Sequence, residues 1–443
     1  MRASGALIMK EIFESVRKEI ENGSLWKVMG RIDKVVGLTI ESVGPNVSMG
    51  ELCEIDANGQ KVLAEVVGFK ENKIILMPLS DIEGLTVGST ITGSGDKLFV
   101  PVGDVMLGRI IDGLGNPIDD KPLVAYKRYP LNSPPPNPIK RKIINEPFPV
   151  GIRAIDAFLT IGKGQRIGIF SGSGVGKSTL MGMIARNCVS DVNVICLVGE
   201  RGREVREFIE RDLGDAISRS VIVVATSDKP ALVRVKAIFT ATAIAEYFRD
   251  MGKNVLLMVD SLTRFALAQR EVGLAIGEPP TTRGYPPSIF AIFPKILERA
   301  GNSDKGSITG IYTVLVEGDD LNEPVSDTAR GILDGHIVLS RELANANHYP
   351  AIDVLKSVSR VMPYVVNKDL IHYTGIARDL MSTYASVKDM ISVGAYKIGT
   401  DPKIDRSIKF QDKIESFLRQ SVEEKPDFEE VQRKIKEIVD STS

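Results

Sequence analysis

A glycine-rich stretch between a predicted strand and a predicted helix constrains the fold of this chain most. Residues 166–170 read RIGIF, an apolar strand pattern; residues 171–179 read SGSGVGKST; and a helical stretch, STLMGMIARN, begins at Ser178. Glycines let successive backbone N–H groups curve around a phosphate because no Cβ is in the way, and the helix adds its positive N-terminal end. The stretch therefore predicts a phosphate-binding loop at a strand-to-helix turn of an α/β domain.

Within this loop the residue types predict separate roles. Lys177 is expected to contact the β- and γ-phosphates of a nucleotide, and the Ser178 hydroxyl to bind Mg²⁺. The loop departs from the common GxxxxGK[ST] pattern at its first position, where Ser171 replaces a glycine. We expect the nucleotide to be contacted by Gly172, Ser173, Gly174, Val175, Gly176, Lys177, Ser178 and Thr179.

A second apolar run, KNVLLMVDS, ends in an acid that suits the same site. Asp260 follows five apolar residues and is predicted to hold Mg²⁺ through water. Taken alone, an aspartate that closes a strand more commonly caps the next helix. Because Asp260 occurs in the same chain as the phosphate-binding loop, we favour the metal-binding role over the helix cap.

A third apolar run delivers charged side chains to its end in the stretch ICLVGERGREVREF. We predict that Glu200 orients the water that attacks the γ-phosphate and partly deprotonates it. Arg201 is expected to offset the charge of Glu200 and to approach the phosphates. The alternative is a cluster of surface ion pairs of little energetic value, and we expect that role for Arg206 and Glu207.

The rest of the chain indicates a multidomain protein. Its 443 residues are more than a domain with a single hydrophobic core usually contains. Short β-rich runs in residues 26–92 predict a small antiparallel barrel. Apolar strands alternate with helices from residue 165 to about 340, which predicts a parallel sheet covered by helices. Helical periodicity dominates after Pro363. An apolar stripe in residues 6–22 predicts an amphipathic helix, which either packs on its own domain or docks a partner or a membrane surface.

Composition excludes several classes of protein. The net charge of -1 gives no basic excess for a general nucleic-acid binder, and three cysteines without zinc spacing favour a reducing, cytoplasmic setting. The three histidines also lack metal spacing and are expected to be structural. The proline-rich residues 129–149 read as a domain boundary on composition alone, with Lys140, Arg141 and Lys142 on a solvated loop.

Several stretches of the sequence resemble one known protein family. The stretches GERGREV, VDSLTRFA, PPTTRGYPPS, VLVEGDDLNEPVSD, ILDGHIVLSRELA and HYPAIDVLKSVSRVMP resemble the catalytic subunits of rotary ATPases. Among these, the chain is most similar to type III protein-export ATPases, and GAYKIGTDPKID favours the flagellar over the virulence (injectisome) branch. The resemblance implies Mg²⁺-dependent ATP hydrolysis that energises export of flagellar proteins.

The resemblance also implies an architecture. It comprises an amphipathic docking helix in 1–24, a β-barrel domain in 25–95, a RecA-like parallel-sheet ATPase domain in 96–365 and a C-terminal helical domain in 366–443. The proline-rich stretch then falls inside the nucleotide domain.

Further site residues follow from the resemblance alone. Arg360 matches an arginine finger that reaches the γ-phosphate of a neighbouring subunit, Tyr349 an aromatic that stacks on adenine, and Arg264 an arginine near the nucleotide. The family forms hexameric rings with sites shared between subunits. Because one chain carries both Glu200 and the finger residue Arg360, the resemblance implies a homohexamer. Implied partners are a stator-like regulatory protein at the N-terminal helix, export-gate and stalk-like proteins, and export substrates with their chaperones. The expected location is cytoplasmic, peripheral at the inner membrane.

Three rival functions remain distinguishable. A Rho-like RNA translocase would need an aromatic and basic RNA platform, which 26–92 lacks. A non-catalytic ring subunit would lack Glu200. ATP synthesis in a proton-driven ring would require a second, non-catalytic chain.

Overall fold

A computed structural model describes residues 28–316, 318 and 320–442, and these form two compact units that divide between Leu98 and Phe99. The predicted docking helix in 1–24 lies outside the described residues. No helix among those that are described is long and apolar enough to cross a bilayer.

The first unit is a closed antiparallel barrel. Its strands are β1 Met29–Val36, β2 Thr39–Val43, β3 Glu51–Ala57, β4 Gln60–Lys70, β5 Lys73–Pro78 and β6 Thr90–Lys97. They pair in the order β1-β2-β5-β4-β3-β6, and β6 returns to β1. Inward side chains such as Ile32, Ile55 and Leu76 alternate with exposed ones and fill the barrel. The barrel predicted from the short β-rich runs of residues 26–92 is thus filled by one face of each strand.

The second unit is built on a mainly parallel sheet. Its strands are β7 Phe99–Val102, β8 Arg109–Asp112, β9 Lys127–Pro130, β10 Arg166–Ser171, β11 Val192–Val198, β12 Ser220–Ala225, β13 Asn254–Asp260, β14 Gly301–Asn302, β15 Ser307–Leu315, β16 Gly335–Leu339 and β17 Ile352–Ser359. The order is β17-β16-β10-β15-β13-β11-β12-β8, while β14 pairs with β15, and β7 with β9. Among the central strands, β11 is buried along its whole length, and β10 and β13 are buried except at their first residues, as their apolar runs require.

Helices cover both faces of this sheet and continue beyond it. Their bounds are α1 Arg153–Phe158, α2 Lys177–Asn187, α3 Gly202–Glu207, α4 Ala231–Asp250, α5 Leu262–Ala275, α6 Pro287–Leu297, α7 Pro324–Ile332, α8 Arg341–Asn345, α9 Met362–Val365, α10 Lys368–Ser392, α11 Pro402–Leu418 and α12 Phe428–Asp440. Asp427 caps α12 by accepting hydrogen bonds from the backbone of Glu429 and Glu430. The predicted barrel, parallel sheet and C-terminal helices are thereby confirmed.

The sheet has two chemically different edges. At the carboxyl edge the parallel strands end, and the turns after β10, β11 and β13 present the predicted loop and acids. At the amino edge the parallel strands begin. Because β17 runs antiparallel to β16, its last residue lies beside Gly335 at the amino edge. The five residues of β16 separate the two edges by about 17 Å.

Candidate active site

The turn from β10 to α2 forms an open cradle at the carboxyl edge. Gly174 and Gly176 have positive φ values of 77° and 87°, which side-chain-bearing residues rarely adopt. A Cβ on Gly176 would lie 3.4 Å from the ring of Tyr349. The cradle opens into a cleft of about 590 Å³. Its shape suits a phosphate chain with an aromatic residue near one end.

Most of the residues predicted to contact the nucleotide, together with the predicted catalytic Glu200, line this cleft. They are Gly172, Ser173, Gly174, Gly176, Lys177, Ser178, Thr179, Glu200 and Arg264. Val175 is buried under the loop, with 2% of its surface exposed, so it can offer the cleft its backbone rather than its side chain. The strand order brings these residues together because β10, β13 and β11 end at the same edge.

The charged groups of the cleft form one connected cluster. The Lys177 ammonium contacts the Asp260 carboxylate and lies 3.8 Å from Oε1 of Glu200. Arg264 approaches Oε2 of Glu200 to 3.2 Å and also donates to the backbone carbonyl of Gly199. Thr313 donates a hydrogen bond of 2.7 Å to Asp260. Two cations therefore hold two carboxylates beside the phosphate cradle.

Glu200 is the least satisfied member of this cluster. Only 7% of its surface is exposed, and its Oε1 has no hydrogen-bond partner among the described residues. Burial, the negative charge of Asp260 and a hydrogen bond with Glu204 raise the pKa of Glu200 to about 7. A carboxylate with such a pKa can accept a proton from water near neutral pH.

The oxygen donors beside the cradle fit a magnesium ion. Ser178, Glu200, Glu204 and Asp260 line one small space. Mg²⁺ prefers oxygen ligands and retains several waters, and it is commonly held by one or two carboxylates together with substrate phosphates. The unpartnered Oε1 of Glu200 in the same space is an acceptor for such a bound water.

Arg201, Tyr349 and the arginines of α3 lie away from the centre of the cluster. The Arg201 side chain is 80% exposed and lies 3.8 Å from Oε1 of Glu204; the structure does not bring it into the cleft. Tyr349 is partly exposed beside Gly176. Arg203 and Arg206 pair with Glu207 and Glu210 on the exposed side of the helix, which is the surface arrangement expected for Arg206 and Glu207.

Arg360 lies at the opposite edge of the sheet. Its backbone N–H donates to the carbonyl of Asp334, and its guanidinium makes long contacts of 3.4 and 3.5 Å with the carbonyls of Leu333 and Arg330. Leu333 and Asp334 directly precede β16, so Arg360 occupies the amino edge. Since the sheet separates the two edges, Arg360 cannot reach the cleft of its own chain.

Sequence reasoning missed two residues that complete the cluster. Glu204 lines the cleft and hydrogen-bonds Glu200; it lies in the first turn of α3, directly after the segment that carries Glu200. Thr313 contacts Asp260 because β15 is the neighbour of β13. That contact depends on strand order, which the local sequence does not contain.

Comparison with known proteins identifies related chains over nearly the whole length. The family models that match are the ATP synthase alpha/beta family, nucleotide-binding domain, over residues 151–359, the beta-barrel domain of the same family over 32–95, and the T3SS EscN ATPase C-terminal domain over 366–437. The flagellum-specific ATP synthase of Bacillus subtilis (strain 168) is 55% identical over 411 residues, which cover 91% of this chain and 94% of that protein.

Two solved structures have the same fold. The assembled ATPase EscN of the enteropathogenic E. coli type III secretion system is 47% identical with a TM-score of 0.89, and the match covers 93% of this chain and 100% of that chain. The same ATPase in complex with its central stalk EscO is 46% identical with a TM-score of 0.86 and the same coverage. These likenesses agree with the barrel, the parallel sheet and the C-terminal helices described above. The chain therefore belongs to the flagellar and type III export ATPases of the ATP synthase alpha/beta family.

Proposed function

We propose that this chain hydrolyses ATP to energise the export of flagellar proteins, working as a homohexameric ring whose active sites are shared between neighbours. The observation that carries the proposal is Glu200, a buried carboxylate with a free oxygen beside the phosphate cradle. A site that only holds a nucleotide does not need such a group. Family membership and the flagellar relative support the same activity. Export through a virulence injectisome is the alternative, and the likeness to EscN is compatible with it.

Each residue of the cluster has a role in this reaction. The backbone of residues 172–176 cradles the phosphates, and Lys177 leaves Asp260 to neutralise the β- and γ-phosphates. Glu200 orients the attacking water and accepts its proton, while Arg264 keeps the Glu200 carboxylate in place. Tyr349 stacks on the adenine at the far end of the cradle.

Magnesium is the proposed cofactor. Ser178 would bind it directly, and Asp260 through water, as their oxygen atoms beside the cradle allow. Held there, the ion would supply positive charge that offsets the charge of the phosphates. Lys177 and Asp260 contact each other in this structure. On nucleotide binding, Lys177 would contact the phosphates and Asp260 the water of the metal ion instead.

The position of Arg360 supports a shared site. A guanidinium at the amino edge can act only on a nucleotide of another copy, and an arginine supplied in this way contributes about 10³–10⁵ in rate in other phosphoryl-transfer enzymes. Arg201 is proposed as an auxiliary cation that would have to swing inward. Further proposed partners are a central stalk protein of the kind seen with EscN, a stator-like regulator, export-gate proteins and chaperoned substrates. The proposed location is the cytoplasmic side of the inner membrane, and we propose no nucleic-acid partner.

Mixing two inactive variants tests this function. Glu200→Gln and Arg360→Ala should each hydrolyse ATP at least about 10³-fold more slowly than wild type. Mixed before assembly in equal amounts, they should recover roughly a quarter of the wild-type rate, since half of the sites keep Glu200 and half of those face an intact finger. Each variant mixed with itself is the control. If the mixture stays inactive although both variants assemble, the sites are not shared.

A further inference from the structure

Two isoleucines on a proline-rich segment are almost fully exposed. We call residues 136–146 the edge strap; within it, Ile139 is 91% exposed and Ile143 is 84% exposed. No described residue of the same chain covers either side chain. Single exposed apolar residues are ordinary, but two large aliphatic side chains four residues apart on one segment indicate a surface that meets something else.

The edge strap is anchored to the sheet rather than hanging free. Arg141 donates from Nε to the carbonyl of Pro136 over 3.2 Å and from Nη1 to that of Ala300 over 3.3 Å, and it also contacts the carbonyl of Glu298. The Asn302 amide donates to the carbonyl of Lys142 over 3.2 Å. These bonds fix the backbone between the two isoleucines. The outward position of both side chains is thus built into the segment.

The edge strap lies beside the proposed arginine finger. Ile144 and Val361 both press on Gly162, where a Cβ would collide with either side chain. Val361 directly follows Arg360, and Pro147 pairs with Gly162 in an isolated β-bridge. The strap, Gly162 and Arg360 therefore occupy the same amino edge of the sheet.

We infer that the edge strap is a docking element for a second copy of this chain, and that Ile139 and Ile143 become buried against the cleft edge of that copy. The inference rests on the proposed function, because a finger that acts on a neighbour requires this edge to face the neighbour's cleft. The Arg360 guanidinium alone would place a charge at the neighbour's site but would bury too little apolar surface to hold two copies together. Interfaces owe most of their affinity to a few buried anchors near their centre, surrounded by a polar rim. The isoleucines are such anchors, and Lys140 and Lys142 beside them form part of such a rim.

The experiment measures ATP turnover per chain and sedimentation against protein concentration. The variants are Ile143→Asp, with Ile143→Ser as a milder second change, and Val393→Asp as a matched control at a 76% exposed apolar residue after α10. Loss of one buried isoleucine should raise the concentration for half-maximal turnover by about tenfold or more. The plateau rate, the melting temperature and the binding of a fluorescent ADP analogue should match wild type. Val393→Asp should superimpose on wild type throughout.

The outcomes separate this inference from the function on which it rests. Arg360→Ala should associate like wild type and stay inactive at every concentration, whereas the strap variants should regain activity as concentration rises. Strap variants that follow the wild-type curve, or that associate normally yet stay inactive, overturn the docking role and leave the shared site intact. A wild-type rate that is independent of concentration, together with an active Arg360→Ala, overturns the shared site and the docking role with it.

Discussion

At the scale of single residues, the opposing influences on Glu200 predict a pH dependence. Burial and the charge of Asp260 raise its pKa to about 7, although Lys177 and Arg264 act in the other direction. Below that pH the carboxyl group is protonated and cannot accept a proton from water. We therefore expect kcat/KM for ATP to rise with pH through about 7 and to level off above it. Measurement between pH 5.5 and 8.5 checks this, and a flat profile would contradict the role of Glu200 as a base.

Glu204 should control where that pH profile lies. Its carboxylate hydrogen-bonds Glu200 and thereby contributes to the raised pKa of Glu200. Glu204→Gln removes a neighbouring negative charge, so the acid limb of kcat/KM should move to lower pH by about half to one unit. Glu207→Gln is the control, because Glu207 lies on the same helix but pairs with Arg203. The prediction is wrong if both variants keep the wild-type profile.

At the scale of elements, the β10–α2 turn depends on glycine for two independent reasons. Gly176 has a left-handed φ, and a Cβ there would meet the ring of Tyr349. We expect Gly176→Ala to weaken nucleotide binding about tenfold or more, because strain of roughly 1–2 kcal/mol would be relieved by distorting the cradle. Gly202→Ala is the control, since Gly202 begins α3 with open space around its Cα. Titration of a fluorescent ADP analogue measures both, and equal affinities would contradict the requirement.

The elements also differ in how far the sequence could predict them. Central strands such as β11 are buried on both faces, so their apolar runs are unbroken and easy to recognise. The edge strands β8 and β17 were missed: β8 has only four residues, and β17 mixes buried and exposed positions because one of its faces is not fully covered. In the site, Glu200 and Asp260 each follow such a run. Thr313 lies inside one, and only the pairing of β13 with β15 gives it a role.

At the scale of the whole molecule, one buried ion pair connects distant parts of the second unit. Arg299 and Glu246 are 1% and 3% exposed and share two hydrogen bonds of 2.6 and 3.0 Å, and Arg299 also donates to the carbonyl of Leu131. Arg299→Met should lower the free energy of unfolding by about 3–5 kcal/mol, because it leaves Glu246 buried without a partner.

The double change Arg299→Met with Glu246→Leu provides the control for that prediction. It removes both charges and should recover most of the loss, which denaturant unfolding followed by circular dichroism can measure. If the double variant is as unstable as Arg299→Met alone, the contact with Leu131 carries the stability instead of the ion pair.

The cleft and Arg360 lie at opposite edges of one sheet, so under the proposed sharing of sites each copy is directional. Copies of that kind would associate head to tail, and every site would be complete only when the row closes on itself. An open row of n copies completes n − 1 sites, and closure supplies the last one. The rate of ATP hydrolysis per chain would therefore decrease as the number of open rows, and so of free ends, increases. A partner that joins or separates two ends would regulate hydrolysis without touching a nucleotide.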